Sequence, residues 1–101
     1  MKFIGFFELI DAEKAIEKFE KIQKMKKEDY EKAGIEPVKV LSPPYAFPDG
    51  NSGFQLFEAD TLEPLLALSS IYFESMTFDF RPFEEASKAI EIQLKANRAI
   101  K

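Results

Sequence analysis

A stretch near the middle of the chain constrains the fold most, because it joins the pattern of a buried strand to the start of a helix. Residues 53–60, GFQLFEAD, are apolar apart from Gln55 and the acidic end. A short run that is apolar on both faces is typical of a strand inside a sheet. The sequence then predicts a helix that Asp60 or Thr61 caps and that holds Pro64 in its first turn.

The N-terminal segment predicts a second central strand and a long amphipathic helix. Residues 2–9, KFIGFFEL, are apolar on both faces. After Asp11, which is predicted to cap the helix, apolar residues recur from Ala12 at steps of three and four, as they do on one face of a helix. A break near residues 26–28 is compatible with the pattern, and Gly34 is expected to end the helix.

Two prolines mark the segment between the first helix and the central stretch. Residues 38–47 have an extended pattern, but Pro43 and Pro44 have no backbone N–H to donate to a neighbouring strand. We therefore predict an edge strand with a bulge. The turn formers at 48–53 connect this edge to the central strand in the antiparallel sense.

The clearest alternation of the chain lies at residues 76–82, MTFDFRP. A half-polar strand is predicted there, closed by Pro82. One face carries Met76, Phe78 and Phe80, and the other carries Thr77, Asp79 and Arg81. A last helix is predicted to follow, with its apolar positions at Ala86, Ala89, Ile90, Leu94 and Ala96.

This order of elements predicts an α+β fold of the ferredoxin-like type, βαββαβ with an extra C-terminal helix, in one domain over residues 1–101. Right-handed crossovers place the first and third strands in the middle of a four-stranded antiparallel sheet. Helices can cover only one face of such a sheet. Because the other face is also apolar and the chain has eleven phenylalanines, we expect a homodimer that packs sheet to sheet.

Two segments resemble a known group of proteins. KVLSPPYAFPDGNSGFQLFEADTLEPL and FDFRPFEEASKAI are similar to small prokaryotic proteins classed only as a domain of unknown function. The shared features are a glycine-rich turn (Gly50 and Gly53), a strand ending in Glu-Ala-Asp (residues 58–60) and a late strand ending in Pro82. More broadly, the chain resembles the dimeric α+β-barrel superfamily, which implies two ferredoxin-like protomers enclosing a lumen.

Composition excludes several classes of function. The chain has no cysteine and no histidine, which disfavours a metal site, thiolate chemistry and a histidine base. A net charge of −4 argues against nucleic-acid binding. No apolar run is long enough for a membrane span. We therefore expect a cytoplasmic protein with no cofactor, whose frequent Lys and Glu are typical of thermophile proteins.

Polar residues that could line the lumen of a barrel are the candidate ligand-binding residues. In a functional interpretation, the Arg81 side chain binds an anion and Asp79 accepts a proton or a hydrogen bond. In a structural interpretation, the same two residues form a solvated ion pair or join two protomers. The complete candidate set is Tyr45, Gln55, Tyr72, Thr77, Asp79 and Arg81.

No catalytic residue can be named from the sequence. Active members of the superfamily commonly use histidine, tryptophan or asparagine, and this chain lacks the first two. A second possible site pairs Glu8 with Glu58, at the ends of the two central strands. In the favoured interpretation, each carboxylate instead binds the N–H groups of the turn that follows it. The favoured hypothesis is a homodimer that binds a small, largely apolar molecule or acts as an interaction module. The alternatives are a cofactor-independent lyase, isomerase or oxygenase acting on a substrate in the lumen, and an effector-sensing domain.

Overall fold

An antiparallel sheet with helices on one side forms the body of the protein. This computed structural model describes residues 1–100 and confirms the α+β, ferredoxin-like class. The strands are β1 (Lys2–Leu9), β2 (Lys39–Val40), β3 (Tyr45–Ala46), β4 (Ser52–Glu58) and β5 (Met76–Phe83). The helices are α1 (Ala12–Lys24), α2 (Lys27–Ala33), α3 (Glu63–Ile71) and α4 (Ala86–Ala99).

The two strands predicted to be central are central. The strand order is β2-β4-β1-β5, and β3 also pairs with β4. All pairings are antiparallel, with Phe3 opposite Phe57 on one side and opposite Pro82 on the other. Strand β5 continues one residue beyond Pro82, because a proline on an edge strand can direct its missing N–H side away from the sheet.

The predicted second strand is interrupted, which is why the sheet has five strands and not four. Val40 lies opposite Phe57, and Tyr45 lies opposite Phe54. The edge segment therefore advances by five residues over a stretch in which β4 advances by three. The two additional residues correspond to the prolines. At this point the Ser42 hydroxyl accepts a hydrogen bond from the backbone N–H of Leu56 at 2.9 Å, replacing a carbonyl of a regular strand pair.

The first helical region is broken where the pattern allowed a break. The Asp11 carboxylate caps α1 by accepting from the N–H of Lys14 at 3.1 Å. Met25 is extended, and the Asp29 carboxylate then accepts from the N–H of Lys26 at 2.9 Å and starts α2. Gly34 ends α2 in the left-handed conformation, at φ 69°, as predicted.

The predicted cap of α3 is wrong. The N-cap is Leu62, and neither Asp60 nor Thr61 provides a capping hydrogen bond. Leu62 already has helical backbone angles, φ −78° and ψ −18°, whereas a side-chain cap needs an extended residue at this position. Pro64 does lie in the first turn, where its missing N–H costs no helical hydrogen bond.

Alternate residues of the sheet face two different environments. We call the side covered by α1, α2 and α3 the helix side, and the opposite side the open face. The helix side carries Phe3, Gly5 and Phe7 of β1, Gln55 and Phe57 of β4, and Phe78 and Phe80 of β5. The open face carries Ile4 and Phe6 of β1, Phe54 and Leu56 of β4, and Thr77, Asp79 and Arg81 of β5.

An aromatic cluster on the helix side forms the centre of the core. The Phe57 ring is 1% exposed and meets the Phe80 ring edge to face at 5.8 Å between centroids. Phe78 stacks on Phe80 at 5.1 Å and meets the Tyr72 ring at 5.7 Å. Gly5 makes this arrangement possible, because a Cβ there would lie 2.8 Å from the Phe57 ring and 2.9 Å from the Phe80 ring.

We predict that Phe57→Ala lowers the free energy of unfolding by about 3–5 kcal/mol, since it removes a buried ring and leaves a cavity. The control Lys18→Ala changes an exposed side chain of α1 and should shift the same quantity by less than about 0.5 kcal/mol. Urea unfolding followed by circular dichroism measures both. Equal shifts for the two variants would contradict the central position of Phe57.

Candidate functional site

A cavity of about 310 Å³ lies between the helices and the sheet on the helix side. Its wall combines side chains of α1, α2 and α3 with alternate residues of β1, β4 and β5. The amphipathic stripe of α1 faces this space through Ile16, Phe19 and Ile22. The only buried residue of α1 is Ala15. The first helix therefore covers the cavity and does not pack closely onto the sheet.

Few polar groups line this cavity. Tyr30 of α2, Tyr72 after α3 and Gln55 of β4 bring two phenols and an amide to a largely apolar wall. Gln23 and Glu36 also line it, but both residues are exposed to solvent. The Gln55 amide also holds the edge of the sheet, since its Nε2 donates to the carbonyl oxygen of Ser42 at 3.0 Å. The two phenols are thus the groups best placed to meet a polar atom of a bound molecule.

Tyr72 is the most perturbed titratable group of the cavity. The residue is 3% exposed. Burial, followed by repulsion from a neighbouring Tyr30 phenolate, raises the pKa of the Tyr72 phenol to about 12. The phenol is therefore neutral at physiological pH. It can donate a hydrogen bond to a ligand, but it cannot serve there as an anionic base.

The open face has a row of aromatic rings that crosses the sheet. Tyr45 stacks on Phe54 at 5.1 Å, and Phe47 approaches the same ring at 5.7 Å. Phe54 meets Phe6 across the strand pair at 6.5 Å. The Arg81 guanidinium then lies over the Phe6 ring at 5.7 Å, within the range of a cation–π contact.

The predicted pair of Asp79 and Arg81 forms within β5. The Arg81 Nη2 and Nε both donate to one carboxylate oxygen of Asp79, at 3.0 and 3.1 Å. Both side chains are more than half exposed in the single chain. Thr77 and Asp79 also line a second recess, of about 280 Å³, at the end of the sheet where Glu8 lies opposite Ser52.

The structure divides the six candidate ligand-binding residues between the two faces. Gln55 and Tyr72 line the helix-side cavity. The other four, Tyr45, Thr77, Asp79 and Arg81, lie on the open face. One molecule in the helix-side cavity cannot contact all six, because the sheet separates the two groups.

The possible carboxylate pair does not form, and the candidate set lacks polar residues of the cavity wall, Tyr30 above all. Glu8 lies opposite Ser52, while Glu58 lies opposite Lys2 at the other end of the antiparallel pair. Glu8 and Glu58 both lie at the C-terminal end of their strand. Because the two strands are antiparallel, their C-terminal ends lie at opposite ends of the pair. Tyr30 continues the apolar stripe of the first helical region in the sequence and is not among the six candidate residues. Its phenol on an otherwise apolar face was the signal available in the sequence.

Metal clusters and membrane-spanning helices are both absent from the described part of the chain. Within residues 1–100, no group of acidic side chains is arranged to hold a metal ion. None of the helices there has both the length and the apolar character required to cross a bilayer.

The comparison with protein families identifies the chain. The sequence model of the family described as "Domain of unknown function (DUF3303)" matches residues 1–97. The chain belongs to this family. Comparisons with curated proteins and with solved structures found no match. Membership in DUF3303 confirms the resemblance to a group classed only by its unknown function. It brings no activity to the chain, so any function must be argued from the cavity and the open face.

We predict that Tyr72 makes stability depend on pH in the alkaline range. The unfolded phenol ionises near the ordinary tyrosine pKa of 10.0, whereas the folded phenol, with its pKa raised to about 12, stays neutral over this interval. The unfolded state therefore binds fewer protons there, and stability falls as pH rises through it. Tyr72→Phe should remove this component of the slope. Urea midpoints measured from neutral to alkaline pH test it, and an unchanged slope in the variant would contradict the assignment.

Proposed function

We propose that the protein is a homodimer that binds a small, neutral, largely apolar molecule in the helix-side cavity of each protomer. The observation that carries the proposal is the cavity of about 310 Å³ bounded by α1, α2, α3 and the sheet. Ligand pockets occupy about 300–1,000 Å³ and combine apolar walls with a few placed polar groups. The helix-side cavity has this size and this chemistry.

The wall of the cavity selects the class of ligand. An ionised group would lose its hydration on entering the apolar space without gaining a buried partner of opposite charge. A neutral aromatic or branched aliphatic molecule with one oxygen or nitrogen acceptor fits better, because the neutral phenol of Tyr72 can donate to that atom. Tyr30 provides a second phenol in the same wall.

Binding is better supported than catalysis. The candidate acid or base of the enzyme hypothesis is Asp79 or a tyrosine, and Asp79 lies on the open face, across the sheet from the cavity. Tyr72 lines the cavity, but its raised pKa keeps it protonated. Neither residue therefore offers a base to a molecule held in the cavity, and the remaining carboxylate of the wall, that of Glu36, is exposed to solvent.

The homodimer is supported by the chemistry of the open face. A row of aromatic rings, Tyr45, Phe54 and Phe6, crosses a surface that no helix of the same protomer covers. A second copy presents the same surface, so a two-fold axis can bury both. The Arg81 guanidinium lies over the Phe6 ring. In the dimer it contacts the partner sheet on the side that contacts solvent in the single chain. This packing agrees with the barrel that the superfamily resemblance implies.

We predict that filling the cavity abolishes binding of an apolar probe. Ala67 of α3 lines the cavity, and Ala67→Phe should place a ring inside it. N-phenyl-1-naphthylamine, a neutral fluorophore, should bind the unmodified chain with enhanced emission. The variant should bind about tenfold more weakly or worse, a loss of at least about 1.4 kcal/mol.

The matched control is Ala12→Phe, the same substitution at an exposed position of α1 outside the cavity wall. It should leave the probe affinity unchanged. Circular dichroism establishes that both variants fold. Equal affinity in Ala67→Phe and the unmodified chain, or no binding by the unmodified chain, would overturn the cavity as the ligand site.

We predict that Phe54→Asp converts the dimer to a monomer. The change places a carboxylate in the centre of the open face, where it would be buried without a partner against the second sheet. Sedimentation equilibrium at micromolar concentration should give twice the chain mass for the unmodified protein and the single mass for the variant. The control Ala12→Asp introduces the same carboxylate at an exposed position of α1, on the helix side, and should remain dimeric. A monomeric unmodified chain would refute the homodimer.

A further inference from the structure

We infer that the helix-side cavity is specific for neutral carbonyl compounds, and that Tyr72 selects them by donating its hydroxyl hydrogen to the carbonyl oxygen. This inference rests on the ligand site proposed above and names the chemical group that the ligand carries. It accounts for a buried hydroxyl that forms no hydrogen bond to the rest of the described chain.

The hydroxyl of Tyr72 has no hydrogen-bond partner within residues 1–100. The hydrogen bonds of this residue all use its backbone, because the N–H donates to Leu68 and the carbonyl oxygen accepts from Ser75 and Met76. No side-chain N or O atom of the described residues is both sealed from open space and without a partner. The Tyr72 hydroxyl therefore meets an open space. Since the residue is 3% exposed and lines the cavity, that space is the cavity.

The ring that carries this hydroxyl is held in place by the core. It meets the Phe78 ring edge to face at 5.7 Å between centroids, and it packs in the same cluster as Phe57 and Leu68. The backbone bond to Leu68, at 3.3 Å, anchors the residue at the end of α3. A donor that is already fixed loses little freedom when it binds an acceptor. It therefore favours one position for the polar atom of a ligand.

An unpartnered O–H in an apolar cavity discriminates between ligands of the same shape. Water that enters the free cavity can accept this hydrogen bond, whereas a ligand that fills the cavity displaces that water. A hydrocarbon then leaves the O–H buried and unpaired, which lowers its affinity. A ligand with an acceptor at this point replaces the lost bond. Sites that hydrogen-bond a polar group of the ligand reject the analogue without it for this reason.

A second phenol lies near the first. Tyr30 of α2 lines the same cavity. Burial, and after it the charge of a Tyr30 phenolate, raises the pKa of the Tyr72 phenol to about 12, which places the two phenols within electrostatic reach of each other. The Tyr30 backbone bonds to Lys26 and Ile35, but within the described chain its hydroxyl has no partner. The cavity therefore offers two O–H donors.

Among neutral acceptors, a carbonyl oxygen suits these two donors best. It has two lone pairs and no hydrogen of its own, so it can accept from Tyr72 and still has a lone pair for Tyr30. An alcohol brings a further O–H donor to phenols that are already donors. An amine is protonated at neutral pH and would enter the apolar space as an ion. The Gln55 amide is bonded to Ser42 at the edge of the sheet.

Two ligands of the same shape test the selection. 2-Acetylnaphthalene and 2-isopropenylnaphthalene differ by a carbonyl oxygen in place of a CH2 group, and competition with N-phenyl-1-naphthylamine measures both affinities. The unmodified chain should bind the ketone at least about tenfold more tightly, a difference of about 1.4 kcal/mol. Burial of apolar surface alone would favour the alkene, so this order of affinities requires a donor in the cavity.

Tyr72→Phe should remove this preference, because it deletes the hydroxyl and keeps the ring. The affinity for the ketone should fall about tenfold, to the level of the alkene, while the affinity for the alkene does not fall. The matched control is Tyr45→Phe, which deletes the same hydroxyl on the open face, across the sheet from the cavity. It should retain the tenfold preference. Circular dichroism establishes that both variants fold.

The other outcomes overturn the inference at different steps. Equal affinity of the unmodified chain for ketone and alkene would show that the cavity does not recognise the oxygen. A preference that survives in Tyr72→Phe would assign the recognition to another donor. Equal binding of the corresponding alcohol, 1-(2-naphthyl)ethanol, would refute the selection of a carbonyl. Each of these results leaves the cavity as a ligand site, whereas an unmodified chain that does not bind N-phenyl-1-naphthylamine refutes the proposed function as well.

Discussion

The ring of Phe57 is the contact on which the rest of the structure depends. It lies near the C-terminal end of β4 and touches both the strand neighbour β1, through Gly5, and the aromatic pair on β5. The first residue of the core on β1, Phe3, lies directly opposite it. This one ring contacts three neighbouring strands and so fixes their order in the sheet. The aromatic cluster around it is also the surface on which α3 packs. Leu65, Leu68 and Tyr72 pack on the same cluster.

Much of this architecture could be predicted because it depends on local patterns. The runs at β1 and β4 are apolar on both faces, which placed them in the centre, and the prolines placed the interrupted strand at the edge. The start of α3 could not be predicted, since Asp60, Thr61 and Leu62 all precede Pro64 and only the backbone angles decide which becomes the cap. Prolines signal where a strand stops pairing, but not that it resumes a few residues later on the same neighbour.

The candidate site was harder to predict, because it depends on which face each residue occupies after folding. Gln55 and Asp79 both interrupt apolar runs in the sequence, yet β4 turns the first towards the helices and β5 turns the second away from them. The helix-side cavity arises because α1 and α2 do not fill the space above the sheet. How well a helix fills that space depends on side-chain volumes, which the periodicity of apolar residues does not give. The proposed ligand site is therefore separated by the sheet from the surface proposed to join two protomers, and occupancy of one does not obstruct the other.

The interrupted edge has a consequence for how copies of this sheet can combine. A regular edge strand offers a continuous row of free N–H and C=O groups that can recruit further strands without limit. Here the prolines and the Ser42 hydroxyl break that row on one side. On the other side, β5 carries Pro82 and the charged pair of Asp79 and Arg81. Growth into fibres through the edges is thereby disfavoured. The proposed homodimer instead uses the open faces, and one two-fold contact buries both of them.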